Sequence, residues 1–437
     1  MFLPENVLDC IHTLERRGFA CYAVGGCVRD ALLGIVPHDY DLCTNAHPEQ
    51  IREAFSDHQL VLAGEKHGTV GVVTGQGVIE ITTFRTEGGY TDSRHPDWVA
   101  FVDDIEGDLA RRDFTVNAMA YSPTRGFADP FGGRADLQNR VLRAVGHAPD
   151  RFEEDALRIL RGVRFSVRFQ LTPEPATEKA MLQLAPLLDK IARERVFEEL
   201  CKLLPLVTAE DLLRFHPVIT RVIPELAPAV GFVQHSSHHA YDIFTHTAYV
   251  TAAVPAELSL RWAALLHDVG KTETFTLDEQ GQGHFYGHAE VGAALADTVL
   301  LRLKAPTALR KEVVFLIGHH MTPIVPDRKL LKRRLSQYGQ RLLTLLLALQ
   351  KADYTCKGVA GETVDFLDTE ILLSQIMEEN ACLTVRNLAI DGHDLMALGF
   401  SGPAIGSCLN ALLAMVVDEM IPNEKAALIA AARRRLH

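Results

Sequence analysis

The sequence contains no long apolar run. Its longest, from Leu342 to Leu349, is interrupted by Thr344 and falls far short of the ~18 residues that a membrane-spanning helix needs. This run predicts a buried helix. The first ten residues carry Glu5 and Asp9 and show neither a basic start nor an apolar stretch, so no signal peptide is predicted. We therefore expect a protein without membrane partners.

Paired cysteines are also lacking. The eight cysteines are scattered and none forms a C-x-x-C pair, which favours reduced, mostly buried thiols and a cytoplasmic location. Internal repeats and low-complexity tracts are missing too. With 437 residues, 47% of them apolar and 23% charged, the chain is expected to form two to four globular domains, which excludes a largely disordered chain, a collagen or a coiled-coil rod.

The chain has no overall excess of positive charge, since its formal net charge is −12. Binding to nucleic acid would therefore require a local basic face. Residues 134–168 offer one, with eight arginines against five acidic residues. Composition alone still favours a solvated charged helix for this stretch.

The spacing of apolar residues along the chain changes near residue 145. Before it, short strands and helices alternate, and the segments Thr69–Thr74 and Val78–Phe84, separated by two glycines, predict a hairpin. After about residue 150 the strand signal disappears and helical periodicity dominates. The sequence predicts an α+β head followed by an all-helical region, with the boundary near Gly146 and Pro149.

A glycine pair lies where a predicted strand, Phe19–Val24, turns into a helix. Gly25 and Gly26 allow a tight turn and a close approach of backbone N–H groups to a phosphate. Arg29 follows in the first turn of that helix, where it could meet phosphate oxygens. A glycine pair alone is most often only a turn.

Two carboxylates follow at a spacing that suits metal binding. Asp39 and Asp41 flank Tyr40 in a predicted strand, where residues i and i+2 share a face. Oxygen ligands of this kind suit Mg²⁺ bound together with substrate phosphates. Glu80, in an apolar strand segment, is a candidate third ligand. The alternatives are a capping turn for the aspartates and an outward-facing position for Glu80.

Five ordered motifs between about residues 23 and 205 resemble those of class II tRNA nucleotidyltransferases, the family of CCA-adding enzymes and poly(A) polymerases. The motifs are Gly25-Gly26-Cys27-Val28-Arg29-Asp30 with Asp39-Tyr40-Asp41, Arg111–Ala118, Asp129–Gly133 with Asp136-Leu137, Glu154–Arg158, and Glu194-Arg195 with Glu199 and Lys202. The resemblance implies a nucleotidyltransferase head (1–145), a helical neck (146–215), a body (216–370) and a tRNA-binding tail (371–437). It also implies that Gly26, Arg29 and Arg112 hold the nucleotide.

The motif Glu154–Arg158 resembles the one that reads the base in this family. Asp155 and Arg158 would share one face of a predicted helix, and a carboxylate beside a guanidinium matches the Watson–Crick edges of cytosine and adenine. Arg161 and Arg164 continue the spacing and would hold the triphosphate or the primer. The alternative is a helix salt bridge with solvated arginines.

A polar, glycine-bearing segment at residues 85–96 resembles the flexible loop that full CCA-adding enzymes keep and CC-adding enzymes shorten. The alternative is an ordinary surface loop.

Histidines concentrate between residues 235 and 320, and a His-Asp pair lies among them. With His246 and Asp353, the pair His267-Asp268 resembles the ligand set of HD phosphohydrolases, which bind a divalent metal that activates water. His288, and His319 or His320, could bind a second ion. The alternative is a degenerate HD fold that serves only as a scaffold for tRNA.

The resemblance implies a Mg²⁺-dependent enzyme that adds C, C and A to the 3′ end of tRNA from CTP and ATP and releases pyrophosphate. Rivals are a CC-adding or A-adding enzyme, a poly(A) polymerase, an HD phosphohydrolase with a vestigial head, and a non-catalytic RNA-binding protein. The oligomeric state stays open.

Overall fold

A computed structural model describes residues 1–88, 98–236, 238–359, 366–379 and 381–435. The chain divides into two compact units, residues 1–207 with 211–224, and residues 208–210 with 225–437. The head and most of the predicted neck thus lie in one unit. The finer domain boundaries at 145, 215 and 370 stay predictions.

The first unit is built around strands, most of them short. These are β1 (Cys21–Val24), β2 (Asp41–Thr44), β3 (Leu60–Val61), β4 (Thr69–Thr74), β5 (Gly77–Thr83), β6 (Arg85–Gly88), β7 (Trp98–Phe101), β8 (Ala120–Ser122), β9 (Gly126–Ala128), β10 (Val141–Leu142) and β11 (Thr172–Pro173). Seven of them form a mixed sheet in the order β3-β4-β5-β2-β1-β8-β9. The predicted hairpin is confirmed as β4 and β5, and β2 pairs with β5 in parallel, which sets Asp41 opposite Glu80.

Helices cover this sheet and continue beyond it. Up to residue 224 they are α1 (Glu5–Glu15), α2 (Gly26–Leu32), α3 (Pro48–Ala54), α4 (Ile105–Ala110), α5 (Gly133–Gln138), α6 (Ala148–Glu154), α7 (Leu157–Phe169), α8 (Pro175–Leu184), α9 (Arg193–Leu203) and α10 (Ala209–Val222). A core beside β1 and β2 contains Val24, Cys43, Phe84 and Leu109. It anchors the turn after β1 and helix α4, which both contribute to the candidate site.

The second unit is almost entirely helical. Its helices are α11 (Ile243–Ala253), α12 (Leu258–Leu266), α13 (Lys271–Thr274), α14 (His288–Arg302), α15 (Thr307–His319), α16 (Arg328–Thr355), α17 (Leu367–Glu378), α18 (Gly392–Ala397), α19 (Pro403–Val417) and α20 (Lys425–Arg433), and two short strands, β12 (Thr276–Leu277) and β13 (Gly283–His284), pair as a hairpin. The expectation of no strand after residue 150 was therefore wrong for three two-residue strands, which are too short to show a pattern in the sequence.

The apolar run from Leu342 to Leu349 lies in α16, where Leu343, Leu346 and Leu349 are buried. Helix α16 is interrupted at Gly339, whose φ of 79° is not helical. No helix in the described part of the chain is both long enough and apolar enough to span a membrane. The α+β fold class predicted from the sequence is confirmed.

Candidate active site

The turn after β1 requires glycine at its first position. Gly25 has a φ of 75°, and a Cβ atom added there would lie 2.7 Å from Nη1 of Arg112. Both the backbone conformation and the neighbouring guanidinium therefore disfavour a side chain. Helix α2 begins at the next residue, Gly26.

Arg29 is buried below this turn rather than extended into solvent. Its Nε and Nη2 donate to Asp30 Oδ1 at 2.8 and 2.6 Å, and its Nη1 donates to Asn117 Oδ1 at 2.5 Å. The guanidinium lies 4.2 Å from the ring centroid of Phe169. Burial lowers the pKa of Arg29, and Asp30 opposes this effect. These contacts thus hold the Arg29 guanidinium rigidly.

The candidate metal carboxylates surround the start of β2. Asp41 is the first residue of the strand, and its register partner on β5 is Glu80, which is exposed. Asp39 is exposed and precedes the strand, so the prediction that both aspartates lie in one strand was wrong. Solvent reaches Asp41, yet the protein atoms packed around it raise its pKa, and the charges of Glu80 and Asp39 raise it further. A nearby cation would stabilise the ionised form of this carboxylate.

A cavity of 460 Å³ opens beside this turn and is strongly basic. Eight arginines line it against three aspartates. The lining side chains that carry charge are Arg29, Arg111, Arg112, Arg158, Arg161, Arg164, Arg168, Arg195, Asp41, Asp113 and Asp155. The structure therefore brings together Gly26 and every predicted nucleotide-binding arginine with Asp41 and Asp155. It does not place Asp39 or Glu80 in the cavity wall.

Seven of the eight cavity arginines are each held by a carboxylate. The pairs and their N···O distances are Arg29–Asp30 at 2.6 Å, Arg111–Asp108 at 2.9 Å, Arg112–Asp108 at 3.2 Å, Arg158–Glu154 at 2.7 Å, Arg161–Asp113 at 2.7 Å, Arg164–Glu199 at 2.6 Å and Arg195–Asp155 at 2.8 Å. These pairs leave further guanidinium N–H groups for a ligand, because each guanidinium carries five donors. The arrangement suits recognition of a polyanion.

The two predicted base-reading residues do not share a helix. Asp155 lies between α6 and α7 with an extended backbone, φ −142° and ψ 102°, and accepts a hydrogen bond from the N–H of Leu157 at 3.0 Å. Asp155 binds Arg195, whereas Arg158 donates to Glu154 and to the carbonyl of Arg111 at 3.0 Å. The predicted helical i, i+3 relation was therefore wrong, although both side chains line the cavity.

A second cluster lies in the second unit and contains the His-Asp pair. Nε2 of His246 lies 3.0 Å from Asp353 Oδ1 and 3.7 Å from Asp268 Oδ2, and Nε2 of His267 lies 3.3 Å from Asp268 Oδ2. Their Nδ1 atoms approach the carbonyls of Cys356 and Ala264 at 3.2 and 2.8 Å. A proton on Nδ1 leaves the Nε2 lone pair as a metal ligand.

A second triad shares Asp268. The ligand atoms of Asp268, His288 and His320 lie within 4.8 Å of one another, as do those of His246, His267 and Asp268. His319, one of the predicted ligands, points elsewhere: its ring stacks on Phe315 with centroids 4.3 Å apart. The residue in the cluster is therefore His320, because adjacent residues at the end of α15 face different directions.

Some residues around the two sites were not singled out from the sequence. Asp108, fully buried, binds Arg111 and Arg112, and the sequence signal was its i, i+4 spacing from Arg112. Lys271, whose Nζ lies 2.7 Å from Asp268 Oδ2, stands three residues after that aspartate. His239 packs against His246, and burial lowers its pKa to about 3.

Three segments of the chain match known family models. Residues 21–143 match the poly A polymerase head domain, residues 170–229 match the probable RNA- and SrmB-binding site of polymerase A, and residues 238–357 match the HD domain. Fold and matches together define a nucleotidyltransferase of the poly A polymerase type that also carries an HD domain.

Relatives that align along nearly the whole chain narrow this class. A CCA-adding enzyme of Streptococcus mutans is 34% identical, with 99% of this chain and 98% of the relative covered, and one of Streptococcus sanguinis is 35% identical, with 98% and 97% covered. The crystal structure of the Bacillus stearothermophilus CCA-adding enzyme in complex with CTP is 29% identical and covers 100% of this chain and 98% of its own, with a TM-score of 0.73. The chain belongs to the family of CCA-adding enzymes, which confirms the resemblance seen in the sequence.

The ion pair between Asp113 and Arg161 predicts a pH-dependent contribution to stability. Burial raises the pKa of Asp113, but the charge of Arg161 and hydrogen bonds from Asn117 and Arg161 outweigh it and hold that pKa at about 2, below the ordinary 3.8. A depressed folded-state pKa stabilises the protein above about pH 4, and this stabilisation is lost as the pH falls towards 2.

We expect the difference in unfolding free energy between the wild type and Asp113→Asn to shrink by about 2 kcal/mol between pH 5 and pH 2. Urea unfolding followed by circular dichroism at several pH values measures it. A difference that stays constant over this range would contradict the ionised pair.

Proposed function

We propose that the protein adds C, C and A to the 3′ end of tRNA, using CTP and ATP and releasing pyrophosphate. The observation that carries the proposal is the arginine-lined cavity, which has the candidate metal ligand Asp41 and the candidate base-reading residues Asp155 and Arg158 in its wall. The chain that forms this cavity is related along almost its whole length to CCA-adding enzymes. A nucleoside triphosphate is a polyanion, and guanidinium groups bind phosphate oxygens in pairs.

The carboxylates near β2 fit Mg²⁺. Asp41, Asp39 and Glu80 offer hard oxygen ligands of the kind Mg²⁺ prefers. The protein atoms packed around Asp41, together with the charges of Glu80 and Asp39, raise its pKa against the opposing charge of Arg112. Mg²⁺ bound there would activate the 3′-hydroxyl of tRNA and neutralise charge on the triphosphate. The cavity arginines hold the triphosphate in line with that hydroxyl, so the protein contributes positioning and charge stabilisation.

Base choice is assigned to Asp155 and Arg158. A carboxylate accepts about four hydrogen bonds, so Asp155 can accept from the amino group of cytosine or adenine and still hold Arg195. Arg158 has N–H groups left beyond those that bind Glu154 and the Arg111 carbonyl. Uracil and guanine present a carbonyl oxygen where Asp155 needs a donor, and are rejected.

We infer full CCA addition rather than CC-only or A-only addition, because the relatives that align along nearly the whole chain are CCA-adding enzymes. The segment 85–96, which the resemblance assigns to the loop for A addition, is described only up to Gly88, in strand β6; residues 89–96 lie outside the described part. The role of this loop stays a prediction. A cytoplasmic location belongs to the same proposal and agrees with eight cysteines that form no disulfide in the described part of the chain.

The proposal is tested first at the metal ligand. Asp41→Asn should lower incorporation of both CMP and AMP by about a hundredfold or more, because both additions use one site. Incorporation is measured on tRNA lacking CCA with CTP, and on tRNA ending in CC with ATP. Asp57→Asn, an exposed aspartate of the same unit that pairs with His58, is the control and should behave as wild type. Near-normal incorporation by folded Asp41→Asn would refute the assignment.

Base choice gives a separate prediction. Asp155→Ala removes the acceptor for the base amino group, at a cost of about 1.5–3 kcal/mol, or roughly ten- to a hundredfold in kcat/KM for CTP and ATP. Discrimination against UTP should shrink with it. Single-nucleotide incorporation of all four triphosphates measures both effects. If kcat/KM fell by the same factor for every triphosphate, so that the ratio of kcat/KM for CTP to that for UTP were kept, Asp155 would have only a structural role.

The second unit supports a second candidate function, hydrolysis of a phosphate ester at a divalent metal. The observation that favours it is the shared Asp268 between two triads whose histidines point Nε2 inward. A cavity of 250 Å³ reaches Asp268, His288 and Asp353, and Lys271 at its wall could bind a phosphate. The ligands suit a divalent ion, which would activate water there.

Two adjacent histidines at the end of α15, His319 and His320, allow a sharp test of this function. His320→Ala should lower metal-dependent hydrolysis of p-nitrophenyl phosphate at least about tenfold, whereas His319→Ala, outside the cluster, should leave it unchanged. Nucleotide addition should persist in both, because the two sites share no ligand. Equal rates for both variants, or no hydrolysis by the wild type with Mg²⁺, Mn²⁺, Ni²⁺ or Co²⁺, would favour a scaffold role.

A further inference from the structure

Asp108 is a fully buried carboxylate directly behind the cavity wall. Its Oδ1 accepts hydrogen bonds from Nε and Nη2 of Arg111 at 3.0 and 2.9 Å, and its Oδ2 accepts one from Nη2 of Arg112 at 3.2 Å. Both arginines line the cavity, whereas Asp108 does not. A nucleotide in the cavity would therefore meet these arginines and not the carboxylate that holds them.

Arg112 is confined from the opposite side by the glycine turn. Its Nη1 lies so close to Gly25 that even a methyl group there would collide with it. Nε of Arg112 is buried and makes no hydrogen bond within the described ranges. The charge of Arg112 lowers the pKa of Asp41, so the guanidinium also acts on the candidate metal ligand. Arg112 is thus close to the glycine turn, acts on the candidate metal ligand and is held by Asp108.

We propose that Asp108 is a positioning residue that acts through Arg111 and Arg112 to fix where the triphosphate binds. The proposal rests on the proposed function, since it requires a triphosphate in the cavity. A free arginine side chain has many rotamers, and ordering it on binding costs affinity. The buried carboxylate orders Arg112 before the ligand arrives, which is how preorganised donors gain strength.

Asp108 is ionised as this role requires. Burial alone would raise its pKa, but the charges and hydrogen bonds of Arg111 and Arg112 outweigh burial and lower it. Its Oδ1 also lies 3.4 Å from the backbone N–H of Arg85, the first residue of β6. The carboxylate therefore joins helix α4 and the start of β6 to the arginine that faces the nucleotide.

The test compares Asp108→Asn with the wild type. Asparagine keeps the shape but removes the charge, so we expect binding of CTP and of inorganic pyrophosphate, measured by calorimetry, to weaken about tenfold or more. The KM values for CTP and ATP should rise together. The ratio of kcat/KM for CTP to that for UTP should stay as in the wild type, because Asp155 and Arg158 are untouched. A variant that had only lost structure would not keep its choice of base while its affinity for pyrophosphate fell.

A triple variant separates action through the two arginines from a direct effect. Asp108→Asn combined with Arg111→Ala and Arg112→Ala should bind CTP no more weakly than the variant with the two alanines alone, because the residues through which Asp108 acts are already missing. Glu225→Gln is the matched control: Glu225 holds Arg302 through both oxygens, at 2.5 and 2.8 Å, in the second unit, and its loss should not change CTP binding.

Two results would overturn the proposal: wild-type affinity for CTP in folded Asp108→Asn, or a further loss of CTP affinity when Asp108→Asn is added to Arg111→Ala and Arg112→Ala. If Asp108→Asn does not fold, Asp108→Glu, which keeps the charge and displaces it by one methylene, is measured in the same way and should also weaken CTP and pyrophosphate. A wild type that binds no CTP would instead refute the proposed function.

Discussion

Repulsion among arginines is the constraint on which the first unit depends. Eight guanidinium groups line one cavity, and in a partly buried site like charges at such density oppose folding. The chain offsets this repulsion with carboxylates from separate elements, of which Asp108, Asp113 and Glu199 are buried. Each is placed behind or beside its arginine, so the positive groups stay ordered while their remaining donors face the cavity. The same pairs that allow the unit to fold thus prepare it for a polyanion.

Local signals predicted much of this architecture. The glycine pair predicted the turn after β1, alternation predicted the β4–β5 hairpin, and the ordered motifs predicted the family. The break at Asp155 was missed because its carboxylate accepts the N–H of Leu157, the first residue of α7, and a residue that caps the next helix can look helical in a periodic pattern. The role of Asp108 was missed for another reason, since burial and the partner of an arginine depend on packing.

The second unit shows the same limit of sequence reasoning in another form. The resemblance to HD phosphohydrolases predicted a metal cluster that contains His246, His267, Asp268 and Asp353. Spacing could not decide between His319 and His320, because the choice depends on which way the end of α15 faces. Nor could it show that the Nδ1 atoms of His288 and His320 lie 2.8 and 2.7 Å from the carbonyls of Phe285 and Ile317. That detail sets the direction of the Nε2 atoms, and it follows only from backbone geometry.

The central claim is that one cavity adds two different nucleotides in a set order. It is tested most directly with three tRNAs that end before the first C, after one C and after two Cs, each incubated with a single nucleoside triphosphate and sized at single-nucleotide resolution. The account predicts CMP addition to the first two, AMP addition to the third, and no extension with UTP or GTP. Addition of AMP to the first tRNA, or extension of none of the three, would contradict it.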